Sequence, residues 1–153
     1  MYSDYYMNQA LSMANIAFDA DEVPVGAIVV KNGIVIGKGY NKVITNSSVS
    51  SHAEILAINN ASKALKNYRL KSCELYVTLE PCHMCAKAIL DSRIDYLYFG
   101  ANEPKTGAIE SIDQFLNRDD LNHKVICSGG HLKDQSSNLL RKFFQSKRKN
   151  RAI

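Results

Sequence analysis

Two short segments constrain this chain more than any other feature: His52-Ala53-Glu54 and Pro81-Cys82-His83-Met84-Cys85. Each stands where a strand or loop gives way to a helix. Cys82 and Cys85 are three apart, a spacing that shares one helix face. His52 offers a third donor from a different helix start. Thiolate sulfur and imidazole nitrogen are the donors Zn²⁺ takes in a tetrahedron. Helix N-termini carry partial positive charge, which favours thiolate over thiol. A single ion holding all three side chains requires the starts of two helices to meet. Three protein ligands leave a fourth position open, the arrangement of catalytic rather than structural zinc.

Glu54 lies two residues after His52, a spacing that turns the side chains apart on a helix. It therefore reads not as a ligand but as a group able to reach water at the open position. Two thiolates neutralise the charge of Zn²⁺, so the ion alone activates water less strongly. A carboxylate that takes the proton supplies the difference, and the same proton can pass to a ring nitrogen and then to a departing amine. Two plainer readings compete. A redox Cys-x-x-Cys pair leaves His52 and Glu54 without a role. A structural zinc site needs a fourth ligand from Cys73, His83, Cys127 or a late histidine. His83 directly follows Cys82 and points off the ligand face. His123 and His131 read individually as surface or polar-core histidines. Cys73 and Cys127 read as buried small residues or ordinary thiols.

Hydrophobic periodicity places these motifs in an alternating α/β chain. Residues 4–20 read as a helix with Tyr6, Ala10, Met13, Ala14 and Ala17 on one face, ended by Asp21-Glu22-Val23-Pro24. Strands 25–30 and 34–40 flank Asn32-Gly33, a hairpin signal. Gly37 and Gly39 inside the second strand mark a bulge or a close backbone approach. The polar stretch 46–51 reads as a loop and helix cap, followed by a helix over 53–66 and a strand over 74–79. Pro81 stands where a helix over 82–91 begins. A strand over 94–99 is closed by Gly100. A short helix follows over 109–116, then a strand over 125–127. A final amphipathic helix runs over about 132–149, with Leu132, Leu139, Leu140, Phe143 and Phe144 as its apolar stripe. The fold expected is α/β, a central mixed sheet with helices on both faces. The hairpin is antiparallel, and strands separated by helices favour parallel pairing.

The 153 residues suit a single domain over 1–153. Hydrophobic residues at 46% and charged residues at 22% exclude a disordered or collagenous chain. No apolar run nears the roughly 20 residues that span a membrane. The first residues lack the basic-then-apolar pattern of a signal peptide. The expected location is cytoplasmic, with no membrane partner. The net charge of +4 is local. Arg141, Lys142, Lys147, Arg148, Lys149 and Arg151 face no acid over 141–153, whereas the other 13 bases meet 15 acids. A basic end of this kind can neutralise phosphates, or it can be a solvated terminus.

His-x-Glu followed by Pro-Cys-x-x-Cys is the signature of the zinc deaminases of nucleobases. The chain as a whole resembles the bacterial tRNA wobble-adenosine deaminases of the cytidine deaminase-like superfamily. The likeness runs through Glu22-Val23-Pro24-Val25-Gly26-Ala27, Gly39-Tyr40-Asn41 and His52-Ala53-Glu54-Ile55. It continues through Asn67-Tyr68-Arg69-Leu70, Tyr76-Val77-Thr78-Leu79-Glu80-Pro81-Cys82 and Met84-Cys85-Ala86. Ser92-Arg93-Ile94, Lys105-Thr106-Gly107-Ala108, Asn122-His123 and Phe143-Phe144 complete it. The resemblance implies a cytidine deaminase-like three-layer α/β/α fold with a central mixed five-stranded sheet. It implies one Zn²⁺ per subunit on His52, Cys82 and Cys85, with Glu54 as proton shuttle. Asn41 would hold the target nucleoside. Pro24, Lys105, Asn122 and the final helix with Phe143 and Phe144 would contact flanking nucleotides of the tRNA anticodon stem-loop; those rings could equally pack in the core. The family acts as a homodimer. The implied reaction converts the wobble adenosine, the first anticodon position, to inosine: hydroxide on the zinc attacks C6 and ammonia leaves. Two alternatives stand beside it, a deaminase of a free base or nucleoside of the guanine or cytosine class, and a non-catalytic zinc RNA-binding module. His83, Lys87, Glu103 and Ile109-Glu110-Ser111 depart from the family pattern and leave the RNA-contacting loop less defined.

Overall fold

The computed structural model describes residues 1–151; Ala152, Ile153 and the side chain of Arg151, at the end of the expected 1–153 domain, lie outside the described residues. Helix α1 (Asp4–Asp19) opens on Ser3, whose hydroxyl accepts the Tyr5 N–H at 3.2 Å. Its buried face is Met7, Ala10, Leu11, Ala14 and Ala17, one residue round from the expected stripe at Met7 and Leu11. Strands β1 (Gly26–Lys31) and β2 (Ile34–Tyr40) pair through the expected turn, in which Asn32 and Gly33 both take positive φ, 51° and 76°. Two such residues in succession match the right-handed twist of the flanking strands.

Gly37 and Gly39 prove to serve both expected purposes. The register shifts where Val29 faces Gly37 and Val30 faces Val35, which leaves Ile36 as the extra residue of a bulge. A Cβ on either glycine would overlap the backbone of the next helix at Ala53, Ala57 or Ala61. Helix α2 (Ala53–Leu65) thus lies directly on β2. Lys66 closes it in the left-handed conformation.

Strands β3 (Cys73–Leu79), β4 (Tyr96–Ala101) and β5 (Ile126–Ser128) complete a five-stranded sheet in the order β2-β1-β3-β4-β5. β1 runs antiparallel to both neighbours, and β3, β4 and β5 are parallel. Alternation along the strands sorts the core into two halves. Ala27, Val29, Leu75, Val77, Leu97 and Phe99 pack under α2 and α3 (His83–Asp91). Ile28, Val30, Tyr76 and Tyr98 pack with Met7 and Ala10 of α1 on the opposite face. Helix α4 (Lys133–Arg151) lies on the α1 side, where Phe143 meets Phe18 with ring centroids 6.0 Å apart. No helix among the described residues is long and apolar enough to cross a membrane.

Four local expectations change. α3 starts at His83, with Cys82 as its cap, so Pro81 precedes the helix instead of opening it. The cap of α2 is His52 rather than a serine of the 46–51 loop. β4 begins at Tyr96 and runs through Gly100, because Ile94 is drawn into the core and Asp95 makes the turn. The helix expected over 109–116 is a series of turns with a single 3-10 turn at Phe115–Asn117. There the N–H groups of Ile109, Glu110 and Ser111 turn away from a helical ladder and donate to the Glu80 carboxylate.

Candidate active site

The topology decides where the motifs meet. β2 and β3 both oppose β1, so both end at the same edge of the sheet. The helices that follow them, α2 and α3, therefore start side by side. His52 caps one and Cys82 caps the other. Cys85 lies one turn into α3, buried. His52 Nδ1 stands 3.7 Å from Cys82 Sγ and 3.4 Å from Cys85 Sγ. All three donor atoms lie within 4.8 Å of one another.

These spacings test whether an ion fits. With Zn–S near 2.3 Å and Zn–N near 2.0 Å, tetrahedral angles put nitrogen and sulfur about 3.5 Å apart. The two nitrogen–sulfur separations straddle that edge length, so the donor set fits Zn²⁺. Charge points the same way. The Cys85 thiol, acting as donor, lowers the Cys82 pKa to about 3 against the effect of burial, with further help from His52. Cys85 itself is pushed strongly upward by Cys82 and by burial. The hydrogen bond to Cys82 raises His52 despite its partial burial. The two sulfurs alone share one negative charge; a dication lets both ionise.

Glu54 is only 4% exposed and lies outside the three-ligand cluster. It lines the same cavity of about 290 Å³ as His52 and Cys82. Burial pushes its carboxyl up to about 7. Asn41 is buried in the wall of this cavity, and its N–H donates to Val25 O at 3.1 Å. Val23, Val25, Val43, Ile44 and Leu79 supply apolar walls. Pro24 is buried between two lining residues.

The remaining expected contacts are spread more widely. Lys105 is exposed on a loop whose Glu103 and Thr106 line the cavity. Asn122 lines a separate open cavity with His123. Phe143 is 5% exposed, while Phe144 is 45% exposed. Of the two expected RNA-contacting rings, Phe143 packs into the core against Phe18 and only Phe144 presents itself to solvent. The Phe143 ring is further covered by Lys147, which lies over it and is tied to Asp21. His83 turns away from the sulfurs and pairs with Asp113 at 2.8 Å. His123 Nε2 meets Ile94 O at 2.8 Å, and His131 stacks on Tyr2. Both are partly buried, within the expectation of surface or polar-core histidines.

Two buried carboxylates escaped the sequence reading. Glu22 accepts from the N–H groups of Ile44 and Thr45 and from the Thr45 hydroxyl. Glu80 accepts from Asn102, Glu103, Ile109, Glu110 and Ser111. Both line the cavity. The available signal was an acid set against valine, leucine and proline at an element's end, in Glu22-Val23-Pro24 and Leu79-Glu80-Pro81.

The mixed sheet between helical layers, with its donor cluster and buried acid at two helix starts, defines a deaminase of the cytidine deaminase-like fold. Comparison with known proteins narrows this. The model of the MafB19-like deaminases matches residues 1–148. The tRNA-specific adenosine deaminase of Haemophilus influenzae is 44% identical over 99% of this chain and 88% of its own length. That of Aquifex aeolicus is 43% identical over 98% of this chain and 99% of its own. A solved structure from a study of A-to-I editing by tRNA:A34 deaminases superposes with a TM-score of 0.86 at 41% identity, covering 90% of this chain and 99% of the other. The guanine deaminase of Nitrosomonas europaea superposes at 0.78 with 26% identity, over 93% and 84%. The chain belongs to the tRNA-specific adenosine deaminase family.

Proposed function

We infer that residues 1–153 form one zinc-dependent deaminase domain that converts the wobble adenosine of tRNA to inosine. The observation that carries this reading is the convergence of His52, Cys82 and Cys85, two of which line one cavity with the buried Glu54. His52, Cys82 and Cys85 would hold the ion, which when bound would polarise water and ease its loss of a proton. Glu54 takes a proton from the attacking water and delivers it to the adenine ring nitrogen, where inosine keeps it, and then carries the second proton, from the new hydroxyl on C6, to the amine that leaves as ammonia. A carboxyl that burial holds near neutrality suits both directions of transfer. Asn41 orients the nucleoside, and the valine and leucine walls exclude water from a flat base. An anticodon base is already single-stranded, so turning it into the cavity requires little unpairing.

Flanking nucleotides would meet the segments near Pro24, Lys105 and Asn122, and the exposed ring of Phe144. Lys142, Arg148 and Lys149 border an open cavity of about 740 Å³ on α4 and supply phosphate contacts. A homodimer in the cytoplasm is the proposed working form. The test is incubation of purified protein with an adenosine-wobble tRNA and sequencing for inosine. Conversion is expected at that position, and its absence with full zinc loading overturns the reading. The similarity to a guanine deaminase favours a second reading, in which a free base is the substrate. Ammonia release from guanine, cytosine or adenosine that exceeds release from tRNA would establish it.

A further inference from the structure

Glu80 ends β3's extension two residues before Cys82 and is 2% exposed. Its two oxygens each accept three hydrogen bonds. Oε1 takes the Asn102 side-chain amide at 3.1 Å, the Glu103 N–H at 3.0 Å and the Ser111 hydroxyl at 2.5 Å. Oε2 takes the N–H groups of Ile109, Glu110 and Ser111 at 3.1, 2.7 and 2.9 Å. An ionised carboxylate is a pure acceptor with about four lone-pair sites, so this one is saturated. Burial opposes ionisation, but the Ser111 hydroxyl and the backbone donors more than offset it and hold the carboxyl down at about 2.

All six donors belong to one loop, residues 102–111. The loop is also closed on itself. Gly107 N–H donates to Glu103 O at 2.9 Å, and Lys105 N–H to the Glu103 carboxylate at 3.0 Å. Ala108 N–H donates to Pro81 O at 2.9 Å. Gly107 is required by the arrangement, because a Cβ there would overlap the Glu80 carboxylate. Between the tie points, Glu103 and Thr106 face the cavity that holds Glu54. The loop has no regular secondary structure of its own; beside the Pro81 contact and the burial of Ala108 and Ile109, one carboxylate two residues before Cys82 collects six of its donors.

We propose that Glu80 is a positioning residue for the substrate: it fixes the 102–111 loop relative to Cys82, and so sets the gap into which the target nucleotide must fit. This rests on the proposed RNA deaminase activity. A neutral amide cannot take its place, since its NH₂ would face three donors on one side. A purely structural role would lower stability alone; a positioning role loosens substrate recognition while zinc and proton transfer persist.

The test compares wild type with Glu80→Gln, Ser111→Ala and Gly107→Ala. Zinc content, kcat and KM are measured on an adenosine anticodon stem-loop, and amide hydrogen exchange on the RNA-free proteins. Glu80→Gln is expected to raise KM about tenfold or more with kcat changed less than about threefold and zinc retained. Its Glu103 and 109–111 amides should exchange at least about tenfold faster while those of β1 and β3 do not. Ser111→Ala and Gly107→Ala, which disturb the same contact from the loop side, should raise KM in the same direction. Unchanged KM in both loop variants overturns the proposal, even where Glu80→Gln fails to fold. So does a fall in kcat that tracks zinc loss. Wild type that makes no inosine defeats the functional reading instead; the exchange comparison needs no RNA and still passes judgement on Glu80.

Discussion

At Glu54 two demands meet in one side chain. As the proposed proton shuttle it must be close enough to the three donors to exchange a proton with water there, yet not occupy a coordination position. Its place two residues after His52 suits both demands, because the helix turns the two side chains apart while both still line one cavity. Glu54→Gln should therefore keep one zinc per chain while turnover falls by about 10²–10⁴, read by metal analysis beside a single-turnover inosine assay. Glu80 makes a different prediction. Its folded pKa of about 2 lies below the ordinary 4.5. A depressed carboxyl adds stability that is complete above about pH 4.5 and is lost as pH falls toward 2. Urea midpoints should accordingly drop between pH 6 and pH 3 in wild type, and less so in Glu80→Gln. An identical acid limb in both would contradict that assignment.

At the scale of elements, the helix starts were legible because polar caps, proline and apolar periodicity all point to the same boundaries. The exceptions have local causes. Cys82 caps α3 instead of opening it, so the two cysteines occupy the cap and the third helical position. That pair still converges, because a cap side chain folds back over the first turn. The 109–116 stretch has helical periodicity yet forms turns, since a buried carboxylate competes for its N–H groups. α2 lies on glycines of β2, and this contact sets where His52 and Glu54 stand. Gly39→Ala should destabilise the fold by about 1–3 kcal/mol. Weaker zinc binding should follow, seen in a chelator competition, because the displaced helix carries the donor with it.

At the scale of the whole molecule, charge and metal extend beyond the cavity. Lys147 is tied to Asp21 at 2.5 Å and anchors α4 to the end of α1. Arg148 and Lys149 are exposed beside Lys142. Neutralising Arg148 and Lys149 together should weaken tRNA binding and flatten its salt dependence by about 0.7–0.9 in log–log slope per lost phosphate contact. A free-base enzyme would show neither effect. Removing zinc should lower thermal stability as well as activity, because an ion held as proposed would join two helix starts. A scan with and without chelator measures this, and an unchanged midpoint would deny the ion that bridging role.

The chemistry and the order of elements were determined by sequence, since donor types, short spacings, capping residues and hydrophobic periods are local properties carried within a few turns of chain. Where the pieces met was decided by the tertiary structure. β1 inserts between β2 and β3, which places the ends of those two strands together and sets His52 against Cys82 and Cys85. The same packing buried Phe143, left Phe144 exposed, and turned Glu22 and Glu80 into loop anchors. No local rule separates such residues, because burial and hydrogen-bond partners depend on segments distant in the chain.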